Sequence, residues 1–283
     1  MARPYVKMNG LGNDFVVVEA RNQSGSEPFA PTPEQVRAWA DREAGIGFDQ
    51  LIAIEASDRA DAFMRVWNAD GGEVETCGNA LRCIGWLLME ATGRDFASID
   101  TLGGLNQARR AGERMVSVDM GEPGLDWTQI PLAEKMDTRG IELQVGPIDE
   151  PLFHTPGAVS MGNPHVVFFV PDAEAVAVMQ VGSLIEHHPM FPEGVNVGFA
   201  EPRADGIIRL RVWERGAGLT RACGTGACAT AVAAMRRGLV QSEVTVNLPG
   251  GALLIAWGDD GRVTMTGPAT ESYRGSFDWG DYA

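Results

Sequence analysis

The chain has 283 residues, 45% of them hydrophobic and 22% charged, a composition that fits a globular protein long enough for two domains with separate cores. A formal charge of −15 opposes the basic stripe of a nucleic-acid binder. Met1 to Lys7 lack an apolar signal core and no stretch approaches the roughly 18 apolar residues of a membrane span, so neither a membrane nor a nucleic-acid partner is expected, and a cytoplasmic location is.

In chain order, Val16–Val18 is the first short apolar run that reads as a strand. Pro33 to Arg42 has helical spacing, Leu51–Ile54 and Phe63–Trp67 read as strands, and Gly78 to Ala91 is a proline-free apolar helix with Gly93 placed to end it. A boundary is expected at Gly121-Glu122-Pro123-Gly124, between a first half of residues 1–122 and a second of 123–266. Val166–Val170 and Ile207–Trp213 follow as strands, with helices expected at Glu174–Met179 and Gly182–His187. A helix starting at Gly224 is rich in alanine, carries Arg236 and Arg237 at its end and stops at Gly238; Val244–Val246 and Leu253–Ile255 are further strands.

The second half repeats the first. Arg65-Val66-Trp67-Asn68 leading to Cys77-Gly78 returns as Arg211-Val212-Trp213-Glu214 leading to Cys223-Gly224, with offsets 211 − 65 = 146 and 223 − 77 = 146. Gly12-Asn13 returns as Gly162-Asn163 at 162 − 12 = 150, and Gly47 to Gln50 has a weaker echo in Gly194 to Asn196. Three landmarks in one order argue for duplication, and a period this long means two domains. The fold class expected is α+β: two pseudo-symmetric homologous domains, each a strand-rich layer wrapped around a central helix, with the active site in the cleft between them.

Four cysteines without Cys-x2-Cys spacing or accompanying histidines exclude a structural zinc site and, in a chain without an export signal, favour reduced thiols. Cys83 and Cys228 lie inside apolar helices and read as buried hydrophobes. Cys77 and Cys223 each stand at a helix N-terminus, where unsatisfied N–H groups and the helix dipole lower a thiol pKa and can hold a carboxylate. Two thiols on opposite faces of one α-carbon can invert it, one as thiolate taking the proton and the other as thiol giving one, without metal or coenzyme. The carbanion needs aligned donors and a closed pocket.

Met8 to Phe15, Phe48 to Leu51, Trp67 to Gly71, Cys77 to Cys83, Gly162 to His165, Asn196, and Glu214 to Gly218 leading to Cys223-Gly224-Thr225-Gly226-Ala227 together resemble the diaminopimelate epimerase family over nearly the whole chain. The resemblance implies interconversion of LL- and meso-diaminopimelate on the route to lysine and peptidoglycan precursors. It also implies Cys77 and Cys223 as acid and base, with His165 and Glu214 beside them. Gly78, Asn79, Gly224 and Thr225 would hold the reacting carboxylate, while Asn13, Gln50, Asn68, Asn163, Asn196, Glu214 and Arg215 bind the remaining polar groups. A homodimer with Tyr273 as a contact, and return of the tail 267–283 to the first half, follow from the same likeness. An asparagine next to glycine is also a common turn residue, and His165 is as readily a core histidine. The alternatives are a proline or hydroxyproline racemase on the same scaffold, and a thiol redox sensor or catalytically silent binding protein in which Cys77 and Cys223 oxidise to a disulfide.

Overall fold

The computed structural model describes residues 2–21 and 29–278 and divides into two compact units, 1–118 with 266–283, and 119–265. The first unit begins with the strands β1 (Ala2–Gly10) and β2 (Asn13–Glu19), joined by a tight turn in which Leu11 and Gly12 both have positive φ. Helix α1 (Pro33–Ala40) follows, then β3 (Gln50–Glu55), β4 (Ala62–Asn68) and β5 (Glu73–Val74). Helix α2 (Gly78–Thr92) leads to β6 (Phe96–Thr101), β7 (Gly104–Gly112) and β8 (Met115–Asp119).

The second unit holds β9 (Gln144–Val145), β10 (Phe153–His154), β11 (Gly157–Ser160) and β12 (Pro164–Phe169), then helix α3 (Val178–Glu186). Strands β13 (Asn196–Pro202), β14 (Ile207–Glu214) and β15 (Gly218–Thr220) precede helix α4 (Gly224–Arg236) and strands β16 (Glu243–Leu248) and β17 (Gly251–Trp257). Strand β18 (Val263–Pro268) carries the chain back to the first unit, where β19 (Thr270–Asp278) pairs antiparallel with β1.

The duplication is visible in the ladders. In the first unit β1–β2 is antiparallel, β2–β3 parallel, β3–β4 and β4–β5 antiparallel, β4–β6 parallel and β6–β7 antiparallel. The second unit gives the same series in β11–β12, β12–β13, β13–β14, β14–β15, β14–β16 and β16–β17. Register agrees as well: Phe15 stands opposite Gln50 as His165 stands opposite Asn196, and Leu51 opposite Trp67 as Val197 opposite Trp213. The glycines ahead of the parallel strands, Gly47 and Gly194, share a left-handed φ of 74° and 71°.

Each unit packs its cysteine-led helix against its strands. Helix α2 comes onto β7 at Gly85, where a Cβ would lie 2.4 Å from the Ala108 methyl; only the missing side chain permits that approach. Helix α4 is alanine-rich for the same reason, with Ala227 to Ala234 buried throughout. On the other face of the first unit, Val36 and Trp39 of α1 pack with Val16, Val18, Leu51 and Ala53. In the second unit the corresponding core joins Val178 and Ile185 of α3 to Val166, Phe168, Val197 and Phe199.

Two helical expectations need correction. Helix α1 opens with a capping box, Thr32 and Gln35 exchanging bonds, and Pro33 at its first position, but it ends at Ala40 because Asp41 is extended at ψ 128°. Glu174–Met179 and Gly182–His187 are not two helices. Asp172 Oδ1 accepts from Glu174 N and Ala175 N, forming a turn, and one helix then runs through Gly182 to Glu186. Gly182 is a packing position, since a Cβ there would meet the Trp213 ring at 2.5 Å. Among the described residues no helix is long and apolar enough to cross a membrane.

Candidate active site

The two cysteines singled out by the sequence are the N-caps of α2 and α4. Cys77 (φ −143°, ψ 113°) and Cys223 (φ −118°, ψ 107°) share extended backbone at the head of their helices, where the first N–H groups have no intrahelical acceptor, and Cys223 Sγ accepts from one of them, Gly226 N. All four cysteines are present as thiols. Cys83 is wholly buried and its thiol is pushed up to about 12 by burial, so it behaves as a core residue.

In the first unit the Cys77 thiol is 3.9 Å from Asn13 Oδ1. Asn13 is held in turn by Asp49, whose Oδ2 accepts from Asn13 Nδ2 (3.1 Å) and from Asp14 N (2.9 Å). Lys7, Arg42 and Asp14 complete this ionic cluster, and the Arg42 guanidinium and Lys7 ammonium hold the Asp14 carboxyl well below its usual range despite partial burial. Gln50 Nε2 donates to Asn68 Oδ1 at 2.9 Å across the β3–β4 pair, and the buried Gln50 Oε1 has no partner among the described residues. Gly78 and Asn79 are the first residues of α2. Fully buried Arg82 donates to Asn79 Oδ1 (3.0 Å), and Gly10 lets this arginine lie close to β1.

The second unit places its residues in a chain ending at sulfur. His165 Nε2 is 2.9 Å from Asn163 Oδ1, Asn163 Nδ2 is 3.4 Å from Thr225 Oγ1, and Thr225 Oγ1 is 3.6 Å from Cys223 Sγ. His165 is completely enclosed and its pKa falls to about 3, through burial first and the Arg215 charge second, so the ring is neutral at physiological pH. Its bond to Asn163 Oδ1 then selects the Nε2–H tautomer. The histidine reaches the thiol through Asn163 and Thr225.

The thiol expectation is overturned at Cys223. Burial raises its pKa well above the ordinary thiol range and the neighbouring Glu214 charge adds to the rise; the Thr225 hydroxyl and Gly226 N–H, the latter 3.3 Å from Sγ, pull the other way and are outweighed. A helix N-terminus supplies fractional positive charge, whereas desolvation of a wholly enclosed thiolate is the larger effect. Glu214 is raised too, by burial, while bonds from Thr220 and Cys223 oppose the rise. The Cys223 thiol and the Glu214 carboxyl are thus neighbours whose titrations are linked, each shifted upward with burial as the first cause.

Asn196 spends its side chain on the backbone, donating to Pro164 O at 2.8 Å and accepting from Arg215 N at 2.9 Å. Arg215 is exposed, with Nη1 donating to Glu193 O at 2.9 Å. The sequence reading missed Asp49 and Arg82 as orienting residues, although both stand inside the quoted motifs, and it missed Thr220, for which no sequence signal existed. Among the described residues no group of three or more His, Cys, Asp or Glu side chains is placed to hold a metal ion.

The family model described as diaminopimelate epimerase matches residues 5–125 and 157–271, a span that takes in both cysteines and the side chains placed around them. The chain belongs to the diaminopimelate epimerase family. A diaminopimelate epimerase of Phenylobacterium zucineum is 60% identical over 275 residues, covering 97% of this chain and 98% of that protein. One from Erythrobacter litoralis is 53% identical over 281 residues, covering 99% and 98%. Among solved structures, a phenazine biosynthesis protein of the PhzF family from Enterococcus faecalis superposes with TM-score 0.70 at 15% identity, over 98% of this chain and 100% of that one. A hydroxyproline epimerase from Agrobacterium vitis gives TM-score 0.67 at 16% identity, over 98% and 91%. At such identities these two establish the fold alone. The fold of this chain is thus the mixed one expected from the sequence, two pseudo-symmetric halves of strands around a helix.

Proposed function

We propose that this protein interconverts LL- and meso-diaminopimelate by moving the α-proton between Cys77 and Cys223, without metal or coenzyme. The observation that supports it most is the paired placement of those cysteines as N-caps of equivalent helices, in a chain 60% identical to a diaminopimelate epimerase. One sulfur as thiolate takes the proton, and the electron pair passes into the α-carboxylate. The N–H groups of Gly78, Asn79, Gly224 and Thr225 stabilise the added charge, and the other sulfur, as thiol, gives a proton to the opposite face. After each turnover the two sulfurs have exchanged protonation states, and the reverse reaction or solvent restores them.

Glu214 pairs with a substrate ammonium and, because its own pKa is raised, can also take the Cys223 proton. Arg215 grips the distal carboxylate, while Asn13, Gln50, Asn68 and Asn163 serve the remaining amine and carboxylate groups. The buried Gln50 oxygen, without a partner among the described residues, suits an ammonium donor. His165 acts as a neutral prop for Asn163 and Thr225. We further propose that the enzyme works in the cytoplasm as a homodimer; Tyr273, edge-on to Tyr5 at 6.2 Å and 48% exposed, is the candidate contact.

The purified protein incubated with LL-diaminopimelate is expected to reach a mixture of LL and meso forms, followed by chiral chromatography, and to leave proline unchanged. Racemisation of proline, or an unaltered LL substrate, would overturn the assignment.

A further inference from the structure

Glu186 closes α3 with its side chain buried, 6% exposed, outside every residue to which a role has so far been given. Each oxygen accepts one bond: Oε2 from the Trp213 indole Nε1–H at 2.7 Å and Oε1 from Gly216 N–H at 2.9 Å. Those two donors bracket Glu214 and Arg215 along the chain. The Trp213 ring is itself wedged against α3, because Gly182 offers no Cβ to keep it away. The segment that follows Glu186 continues the cradle. Glu193 O takes the Arg215 guanidinium, and the arginine stem crosses Gly194, where a Cβ would be 3.1 Å from Arg215 Cδ. At the offset of 146, Ala69 stands where Arg215 does, so the first half of the repeat has no arginine to hold.

We propose that Glu186 is a positioning residue that fixes the turn carrying Arg215, and through it sets the grip on the substrate end remote from the reacting carbon. The proposal rests on the reading of Arg215 as the group that holds the distal carboxylate. A buried carboxylate that receives two donors has no spare oxygen, so Glu186→Gln keeps shape and volume yet must turn its amide N–H onto either the indole N–H or the Gly216 N–H. One donor of the turn is thereby released.

For Glu186→Gln the KM for diaminopimelate is expected to rise about ten-fold, with kcat within about three-fold of the parent, since the loss falls on binding of a non-reacting group. Glu186→Gln added to Arg215→Ala should then raise KM no further. A ten-fold rise that persists in the Arg215→Ala background, or a fall in kcat at constant KM, would overturn the proposal. If Glu186→Gln does not fold, Trp213→Phe removes one donor while keeping a ring on Gly182; its KM should rise in the same direction, and an unchanged KM would count against the role. An Arg215→Ala enzyme with the parent's KM would instead remove the reading of Arg215, and this proposal with it.

Discussion

Replacing Cys77 or Cys223 by alanine is expected to lower kcat for LL-to-meso conversion by about 10³-fold or more, the upper range for removing one positioned acid or base. Either thiol alone can at most exchange a proton on one face, so inversion stops in both variants. The double variant should be less than about ten-fold worse than either single one, because groups that act as a unit lose their effect together. Cys83→Ala and Cys228→Ala are the controls. Both side chains are fully buried in helix interiors, and their loss should leave the rate within about two-fold while lowering stability by roughly 1 kcal/mol. Chiral chromatography against enzyme concentration measures all five proteins. Residual turnover above about a tenth of the parent in either active-site variant would contradict the assignment of that thiol.

A second large effect concerns His165 and acid. Burial and the Arg215 charge hold its folded-state pKa at about 3, against an unfolded value near 6.5. Between those limits the unfolded chain binds a proton that the native chain does not. The stability associated with the neutral ring is therefore fully present above about pH 6.5 and is lost as the pH falls toward about 3, at a slope of up to roughly 1.4 kcal/mol per pH unit. The equivalent residue of the first half is Phe15, at 165 − 15 = 150, so His165→Phe is a substitution the scaffold already uses elsewhere. At pH 7 the variant should be the less stable, having lost the bond to Asn163. As the pH is lowered to 4.5 the wild type should lose up to about 2–3 kcal/mol more than His165→Phe, closing or reversing the gap. Urea unfolding across that range measures it, and parallel curves would show that His165 is protonated in the native protein.

Much of this was readable from the chain, for physical reasons. Val16–Val18, Leu51–Ile54, Phe63–Trp67 and Ile207–Trp213 are β-branched and apolar runs bounded by polar turns, and all lie within strands. The cysteines could be placed at helix starts because Cys-Gly is followed by unbroken helical spacing in both copies. Glu174–Ala177 misled because it has helix-forming composition, whereas Asp172 Oδ1 accepts from the Glu174 and Ala175 N–H groups and holds a turn instead. Gly182, expected to begin a helix, lies inside one; a tryptophan 31 positions later, 213 − 182, gives it a packing role. The Cys223 pKa was misjudged because local sequence reveals the helix dipole but not the degree of enclosure. Glu186 shows the same limit, since a carboxylate in an apolar helix declares its partners only after folding brings Trp213 and Gly216 to it.

Two different sulfurs serving the two faces of one carbon leave a mark on the first turnover in deuterium oxide. With LL-diaminopimelate as substrate, meso product formed at early times should carry one solvent deuteron at the inverted carbon while the remaining LL pool is still unlabelled, because the proton removed stays on one sulfur and the one delivered comes from the other. Early meso product retaining the substrate's own hydrogen at that carbon would mean that a single group both takes and returns the proton, and would rule out transfer between Cys77 and Cys223.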